Sequence, residues 1–272
     1  MYTAKSRQNE LIAGPLSQFT KKIKEEGLAD RWFFMRYADP ESHLRVRLFG
    51  NPDRLITKVL PKVHQWSRWC VTEGLLKKLT IDTYDPEWER YGGPDLMHHA
   101  EKVFEADSML IASLIEQLRY GKTHLPEEVV ACINMIDLMR QFGLDFDEQF
   151  RWLDQIVKKD EHRKEFQQWR KILVKLTLDD NVWEPFPGAD KEAIMKLARQ
   201  RKTVIDIFLK ELESVRDQGL LWNQPNHILG SLLHMTCNRL MGDNSKELKA
   251  RAFARHTLYD QRFLRKRVPV GE

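Results

Sequence analysis

The chain divides sharply at Gly93. Beyond it, apolar residues recur only at helical spacing, over 95–120, 126–142, 146–158, 160–177, 189–218, 226–241 and 245–264. Strand-like runs are confined to the segment before it. "RWFFMRYAD" and "HLRVRLFG", separated by "PES", read as a hairpin, and "KKLTIDTYD" at 77–85 reads as a further strand. Strands that cluster rather than alternate with helices define an α+β protein, with a small antiparallel sheet near the N-terminus packed against a predominantly helical C-terminal part. Two helices complete the first part. One covers 9–26 and ends at Gly27. The other starts at Asn51-Pro52-Asp53 and carries Leu55, Ile56, Val59, Val63 and Trp66 at helical spacing, with a kink expected at Pro61. "VWEPFPGAD" at 182–190 is the one long break and is expected to be a mobile loop. Residues 1–272 read as a single domain.

Composition narrows the class. Hydrophobic residues make up 42% and charged residues 31%, the balance of a soluble globular protein. No apolar run approaches the ~20 residues that cross a bilayer, and "MYTAKSRQNELIAGPL" lacks the apolar core of a secretory signal. A cytoplasmic location without a membrane partner is therefore expected. Cys70, Cys132 and Cys237 are odd in number and lack CxxC spacing, which argues against a disulfide framework and against zinc. The net charge of +4 is mild and the basic residues alternate with acidic ones, so no nucleic-acid footprint emerges. The basic "RFLRKRVP" near the C-terminus reads as a solvated tail.

Polar groups stand in several places that favour apolar ones. In "HLRVRLF", Leu44, Val46 and Leu48 point to one face, while His43, Arg45 and Arg47 point to the other. Neighbouring arginines repel unless carboxylates answer them or an anion lies between them. Glu87 or Glu89 could answer, or the arginines could fork around a substrate carboxylate. Those glutamates belong to "YDPEWERYGGP", which crowds Glu87, Glu89 and Arg90 between Pro86 and Gly92-Gly93, with Tyr84 and Tyr91 on either side. The helix "NHILGSLLHMTCNRLMG" is apolar almost all round, yet Ser231, His234 and Asn238 form one polar stripe. A buried imidazole needs a partner or a cavity, and it can also move a proton near neutral pH. In helix 95–120, Asp107 and Ser108 lie at the margin of the packing face and read as surface residues. GxGxxG after a strand, a P-loop, HExxH and GxSxG are all absent, and the adjacent pair His98-His99 points to different sides of its helix. Arginines and one histidine suit anion handling and proton transfer.

Three segments, "WFFMRYADPESHLRVRLFG", "YDPEWERYGGPDLMHHAEKVFEADS" and "SLLHMTCNRLMG", resemble the signature blocks of the C-terminal domain of lantibiotic dehydratases, a domain also found alone in thiopeptide-type bacteriocin biosynthesis proteins. The resemblance spans roughly residues 10–260. It implies a glutamate-elimination domain. In such systems a glutamylation domain esterifies Ser or Thr of a precursor peptide from glutamyl-tRNA, and β-elimination of glutamate then leaves dehydroalanine or dehydrobutyrine. Carried over by motif, the functional arginines fall on Arg45, Arg47 and Arg90 and the histidine on His234, with His43, Glu87, Glu89, Tyr91, Ser231 and Asn238 binding or orienting.

The resemblance implies several further expectations. A base takes the α-proton, arginines meet the developing and leaving negative charge, and Glu87 and Glu89 orient the arginines. No cofactor or metal is expected. Expected partners are the precursor peptide, a separate glutamyl-tRNA-dependent glutamylation protein, a cyclase, and a second copy of the chain in a homo-oligomer. The glutamylation domain lies upstream on a much longer chain in the family's larger members. Here a separate protein is expected to supply it, unless the chain is an excised domain. Two alternatives stand beside elimination: a pyridine synthase that joins two dehydroalanines by formal [4+2] cycloaddition, and a non-catalytic module that binds precursor peptide along an exposed strand edge.

Overall fold

The computed structural model describes residues 1–178 and 182–265. The chain opens with helix α1 (Lys5–Leu11), which passes through a π-turn at Ile12–Leu16 into α2 (Ser17–Glu25). Pro15 lies within that π-turn, where its missing N–H breaks the regular ladder. Strands β1 (Arg31–Tyr37) and β2 (His43–Phe49) form the expected hairpin. A short turn, α3 (Pro52–Arg54), then leads through a second π-turn (Leu55–Val59) into α4 (Leu60–Thr72). Asn51 caps its start by accepting the Arg54 N–H. The irregularity expected at Pro61 is this π-turn, and the proline itself occupies the first turn of α4, where no N–H is needed.

The strand expected over 77–85 does not form. Only Lys78 joins a bridge, to Tyr2, and Leu79–Glu87 run as irregular chain. Tyr84 explains part of this. Its ring packs edge-on against Phe33 and Phe49, on the face of the hairpin rather than along its edge.

Helices supply the rest: α5 (Pro94–Arg119), α6 (Glu127–Gln141), α7 (Phe146–Ile156), α8 (Arg163–Leu176), α9 (Gly188–Asp217), α10 (Pro225–Leu240) and α11 (Asn244–Arg265). α7 opens with a reciprocal capping box between Asp145 and Glu148. One apolar core runs through the helical layer to the hairpin, taking in Phe34, Leu44, Phe104, Leu114, Ile133, Phe208 and Leu233. The break at 182–190 is not a loose loop in its described part, because Val182, Trp183 and Phe186 are buried in that core. Of the basic C-terminal segment, Arg262 and Arg265 lie over the rings of Phe150 and Phe146 rather than free in solvent, and 266–269 fall outside the described residues.

Asp107 and Ser108 are buried, contrary to a surface reading. Asp107 accepts from Arg201 Nη1 at 2.8 Å and from Arg239 Nη1 at 2.9 Å, and the Thr236 hydroxyl adds a third bond at 2.8 Å. Arg201 also reaches Asn134 at 2.8 Å and Asp137 at 3.0 Å. Buried charge is tolerated only when paired and hydrogen-bonded, and this network ties α5, α6, α9 and α10 at one point. The outer edge of β1 is closed by side chains from the same helices. Ser108 Oγ accepts from Phe34 N at 3.3 Å, and Arg239 Nε donates to Phe34 O at 3.0 Å. Asn238 pairs with both backbone groups of Arg36 at 2.9 Å, as a neighbouring strand would. The hairpin is thereby locked to α5 and α10.

Candidate active site

The hairpin register places Arg31, Phe33, Met35 and Tyr37 opposite Phe49, Arg47, Arg45 and His43, so these eight side chains share one face. Arg45 and Arg47 therefore stand side by side with His43, as the alternation requires. Neither arginine forms an ion pair among the described residues.

Aromatic rings hold them instead. The Arg45 guanidinium lies 3.9 Å from the centroid of the Tyr37 ring, and its Nε donates to His43 Nε2 at 3.3 Å. His43 Nδ1 sits 2.7 Å from the Glu41 carbonyl, an acceptor, so Nδ1 carries the proton and Nε2 is free to accept. The Arg47 guanidinium lies 5.2 Å from the Tyr84 ring centroid, and its Nε is buried with no hydrogen-bond partner. Positive potential is felt nearby: the Met1 amino group is lowered to about 6, by burial first and then by Arg45 and Arg47. Tyr84 is anchored in turn. Burial and the adjoining Glu101 carboxylate push its hydroxyl upward, and Glu101 is itself raised by burial while Tyr84 and Arg31 oppose the rise.

The charged turn forms the next wall. Trp88–Tyr91 make a 3-10 turn in which Glu87 and Arg90, three residues apart, pair at 3.4 Å. Glu87 and Glu89 were expected to orient the arginines; Glu87 meets Arg90, and neither carboxylate pairs with Arg45 or Arg47 among the described residues. The turn spacing directs the Glu87 carboxylate to Arg90. The Glu89 side chain forms no ion pair among the described residues, and its backbone carbonyl accepts from Asn223 at 3.1 Å. Gly92 and Gly93 have φ of 94° and 112°, and a Cβ on Gly92 would lie 2.6 Å from Leu96 Cδ1. Only glycine turns the chain there. Tyr91 points inward onto Phe104, with centroids 4.7 Å apart. Its hydroxyl is raised mainly by burial, with Arg239, Glu87, Arg90 and Tyr37 all in electrostatic reach, so the turn adjoins the Tyr37–Arg45 end of the hairpin.

Helix α10 completes the arrangement. Ser231, His234 and Asn238 form a half-buried stripe on a helix whose remaining residues from Leu232 to Leu240 are buried. At its start Ile228 abuts Gly92, and at its end Asn238 pairs with Arg36 on β1. His234 thus sits between the charged turn and the hairpin. Its Nδ1 meets Glu247 Oε2 at 2.8 Å, Glu247 is also paired to Arg251, and the imidazole is 37% exposed. Both ways of stabilising a polar group on this helix are used, a partner and an opening to solvent. The Ser231 hydroxyl makes no hydrogen bond among the described residues. Arg45 and Arg47 share the hairpin face, Arg90 pairs with Glu87 in the turn and His234 with Glu247, and the four make no hydrogen bond to one another among the described residues.

Sequence reasoning missed Tyr37 and Tyr84 as the rings that carry the arginines. A signal existed for Tyr37, since pairing the two runs across their turn sets it opposite His43. It also missed Arg36, Arg201 and Arg239, which look like ordinary surface charges in sequence. Arg36 is nearly fully buried, lowered by that burial to about 10, and joins Gln8 and Asn9 to the Arg239 and Leu240 carbonyls.

The class so defined is an α+β domain that displays un-neutralised guanidiniums on one face of a two-stranded hairpin, beside a partnered histidine. The chain belongs to the family of lantibiotic biosynthesis dehydratase C-terminal regions, which matches residues 1–258. It is 30% identical over 265 residues to the subtilin biosynthesis protein SpaB of Bacillus subtilis, covering 97% of this chain and 25% of SpaB. It is 26% identical over 247 residues to the nisin biosynthesis protein NisB of Lactococcus lactis subsp. lactis, covering 89% of this chain and 23% of NisB. The chain thus spans about a quarter of the length of these relatives. Among solved structures, the tRNA dependent lantibiotic dehydratase MibB from Microbispora sp. 107891 superposes with a TM-score of 0.81 at 26% identity, over 98% of this chain and 28% of MibB. TsrL shares the fold at a TM-score of 0.63 and 13% identity, over 96% of this chain and 93% of its own.

Proposed function

We propose that the protein takes part in lanthipeptide-type dehydration by eliminating glutamate from glutamylated Ser or Thr of a precursor peptide. The observation that carries this reading is the pair Arg45 and Arg47: adjacent, without a carboxylate partner among the described residues, each braced by a tyrosine ring, with one guanidinium nitrogen buried and unpaired. Donors held in this way suit an anion brought by the substrate.

In the reaction a base takes the Cα proton of the esterified residue, and the electron pair of the Cα–H bond is held as an enolate on the adjacent carbonyl. The enolate then collapses, so that Cα=Cβ forms as the Cβ–O bond breaks and glutamate leaves as a carboxylate. Negative charge develops first at the carbonyl next to Cα and then on the leaving carboxylate, and both are oxygen anions that guanidiniums bind in a forked geometry. Arg45 and Arg47 serve that charge from the hairpin, and Arg90 serves it from the turn. His234, ordered by Glu247 and open to solvent, is assigned a proton-transfer role. Glutamyl transfer from tRNA is assigned to a glutamylation activity outside these residues.

The test uses the purified protein and a chemically glutamylated Ser/Thr peptide, followed by mass spectrometry. Loss of glutamic acid with formation of a dehydro residue is expected. A glutamylated peptide that persists unchanged through prolonged incubation overturns the assignment.

A further inference from the structure

The connection between α9 and α10 lies against the charged turn. After α9 ends at Asp217, residues 218–224 cross the turn as irregular chain, and Pro225 then opens α10. Two hydrogen bonds join this strap to the turn. Asn223 Nδ2 donates to Glu89 O at 3.1 Å, and Trp222 N donates to Gly92 O at 3.2 Å. The two acceptors flank Arg90. Glu89 O belongs to the peptide unit whose nitrogen is Arg90 N, and that N–H donates to Glu87 O at 3.0 Å. Both polar groups of the peptide entering Arg90 are therefore tied, one within the turn and one to the strap. Packing follows the same path. A Cβ on Gly92 would lie 3.0 Å from Leu221 Cδ1, and one on Gly93 would lie 3.0 Å from Trp222 Cδ1. The glycine pair thus admits the strap as well as turning the chain. Trp222 is 56% exposed, so its ring covers Gly93 from the solvent side without entering the core.

Asn223 is held from behind. Its Oδ1 accepts from Gln224 N at 2.9 Å and lies 3.1 Å from His227 Nδ1, on the first turn of α10. A backbone N–H can only donate, so Gln224 fixes which end of the amide is oxygen and leaves Nδ2 for Glu89. One side chain thereby links the peptide of Arg90 to the start of the helix that bears His234. Arg90 has need of such a link. Its pair with Glu87 spans 3.4 Å and is half exposed at both ends, where an ion pair holds a side chain weakly. The backbone sets the direction of the guanidinium instead. We propose that Asn223 and Trp222 are positioning residues for elimination, fixing the backbone from which Arg90 extends relative to the helix that carries His234. The catalytic part rests on the elimination reading, whereas the clamping of the turn by the strap stands on the geometry alone.

Asn223→Asp separates this role from simple support of α10. Aspartate keeps an acceptor for Gln224 N–H and His227 and suits a helix start as well as asparagine does, but it turns an oxygen towards Glu89 O in place of a donor. Support of α10 alone requires full activity in Asn223→Asp and a loss in Asn223→Ala. Positioning requires a loss in both. With glutamylated peptide, kcat should fall roughly tenfold to a hundredfold in each, with KM within about twofold, because Arg90 meets charge that develops in the transition state. The thermal midpoint of Asn223→Asp should match wild type. Trp222→Ala should lower kcat likewise, and Trp222→Phe should restore most of it by keeping a flat ring over Gly93. In an Arg90→Lys background, where no fork is left to aim, Asn223→Asp should cost less than about twofold more.

Full activity in a folded Asn223→Asp protein, a loss confined to KM, or an undiminished effect in the Arg90→Lys background overturns the proposal. Trp222→Ala guards against misfolding of the Asn223 variants, since it empties no core position, and full activity there overturns the proposal as well. Hydrogen exchange read by mass spectrometry makes the two readings fail separately. In Asn223→Asp, peptides covering 86–93 should exchange roughly fivefold faster, while those of α10 stay as in wild type. Faster exchange there without any elimination by the wild-type protein refutes the reaction and leaves the strap. Wild-type elimination, with exchange and rate both unchanged in Asn223→Asp, refutes the strap and leaves the reaction.

Discussion

Arg47→Lys tests the anion site most directly. In the folded protein Arg47 lies over Tyr84 with its Nε buried and unpaired, and no carboxylate neutralises it among the described residues. Lysine keeps the positive charge but loses two things. The flat contact with Tyr84 goes, about 0.5–1 kcal/mol for a partly exposed cation–π pair. The forked contact to a developing oxyanion goes as well, and loss of one such donor costs about 2.7–4 kcal/mol of transition-state stabilisation. The first weakens the fold and only the second lowers the rate, giving a fall of roughly 100- to 900-fold in kcat/KM at about 1.36 kcal/mol per decade. No ion pair is broken, so the fold should survive, with a thermal midpoint within about 3 °C of wild type, as for a substitution worth under about 1 kcal/mol. The assay follows glutamic acid loss from glutamylated peptide by mass spectrometry under single-turnover conditions, beside a melting curve on the same preparation. A folded Arg47→Lys protein that eliminates within about threefold of wild type, under 1 kcal/mol of lost stabilisation, refutes the role given to this guanidinium.

Arg90→Lys should likewise lower elimination, since a point ammonium replaces a fork, and glutamylated peptide should accumulate when the variant is paired with an active glutamylation partner; unaltered dehydration rates would remove Arg90 from the site. His234→Ala should stay folded, because Glu247 retains Arg251 and alanine favours helix, yet lose roughly 10²–10⁴ in rate. Collapse of the fold, with any folded fraction fully active, would reduce His234 to a structural residue. Asp107→Asn leaves the buried guanidiniums of Arg201 and Arg239 without their shared carboxylate and should cost about 3–5 kcal/mol in denaturant unfolding. A change below about 1 kcal/mol would show that the network does not anchor the hairpin to the helices.

Much of the architecture was legible in periodicity. The hairpin, the helical remainder and the shared face of His43, Arg45 and Arg47 follow from side-chain spacing, which is fixed by local backbone geometry whatever surrounds it. The polar stripe Ser231–His234–Asn238 was legible for the same reason. Pairings were not. Glu87 looked like the answer to Arg45 and Arg47, but a 3-10 turn placed it beside Arg90, and two tyrosines took over the arginines. "KKLTIDTYD" had a strand's alternation, yet packing of Tyr84 on Phe33 and Phe49 drew the segment out of the ladder. Asp107 read as a surface residue because its partners stand 94 and 132 positions away, at Arg201 and Arg239. Local sequence determines which face a side chain occupies, because that depends on a few neighbouring dihedrals. Which charges meet on that face depends on contacts between remote segments that only the folded chain brings within a few ångströms.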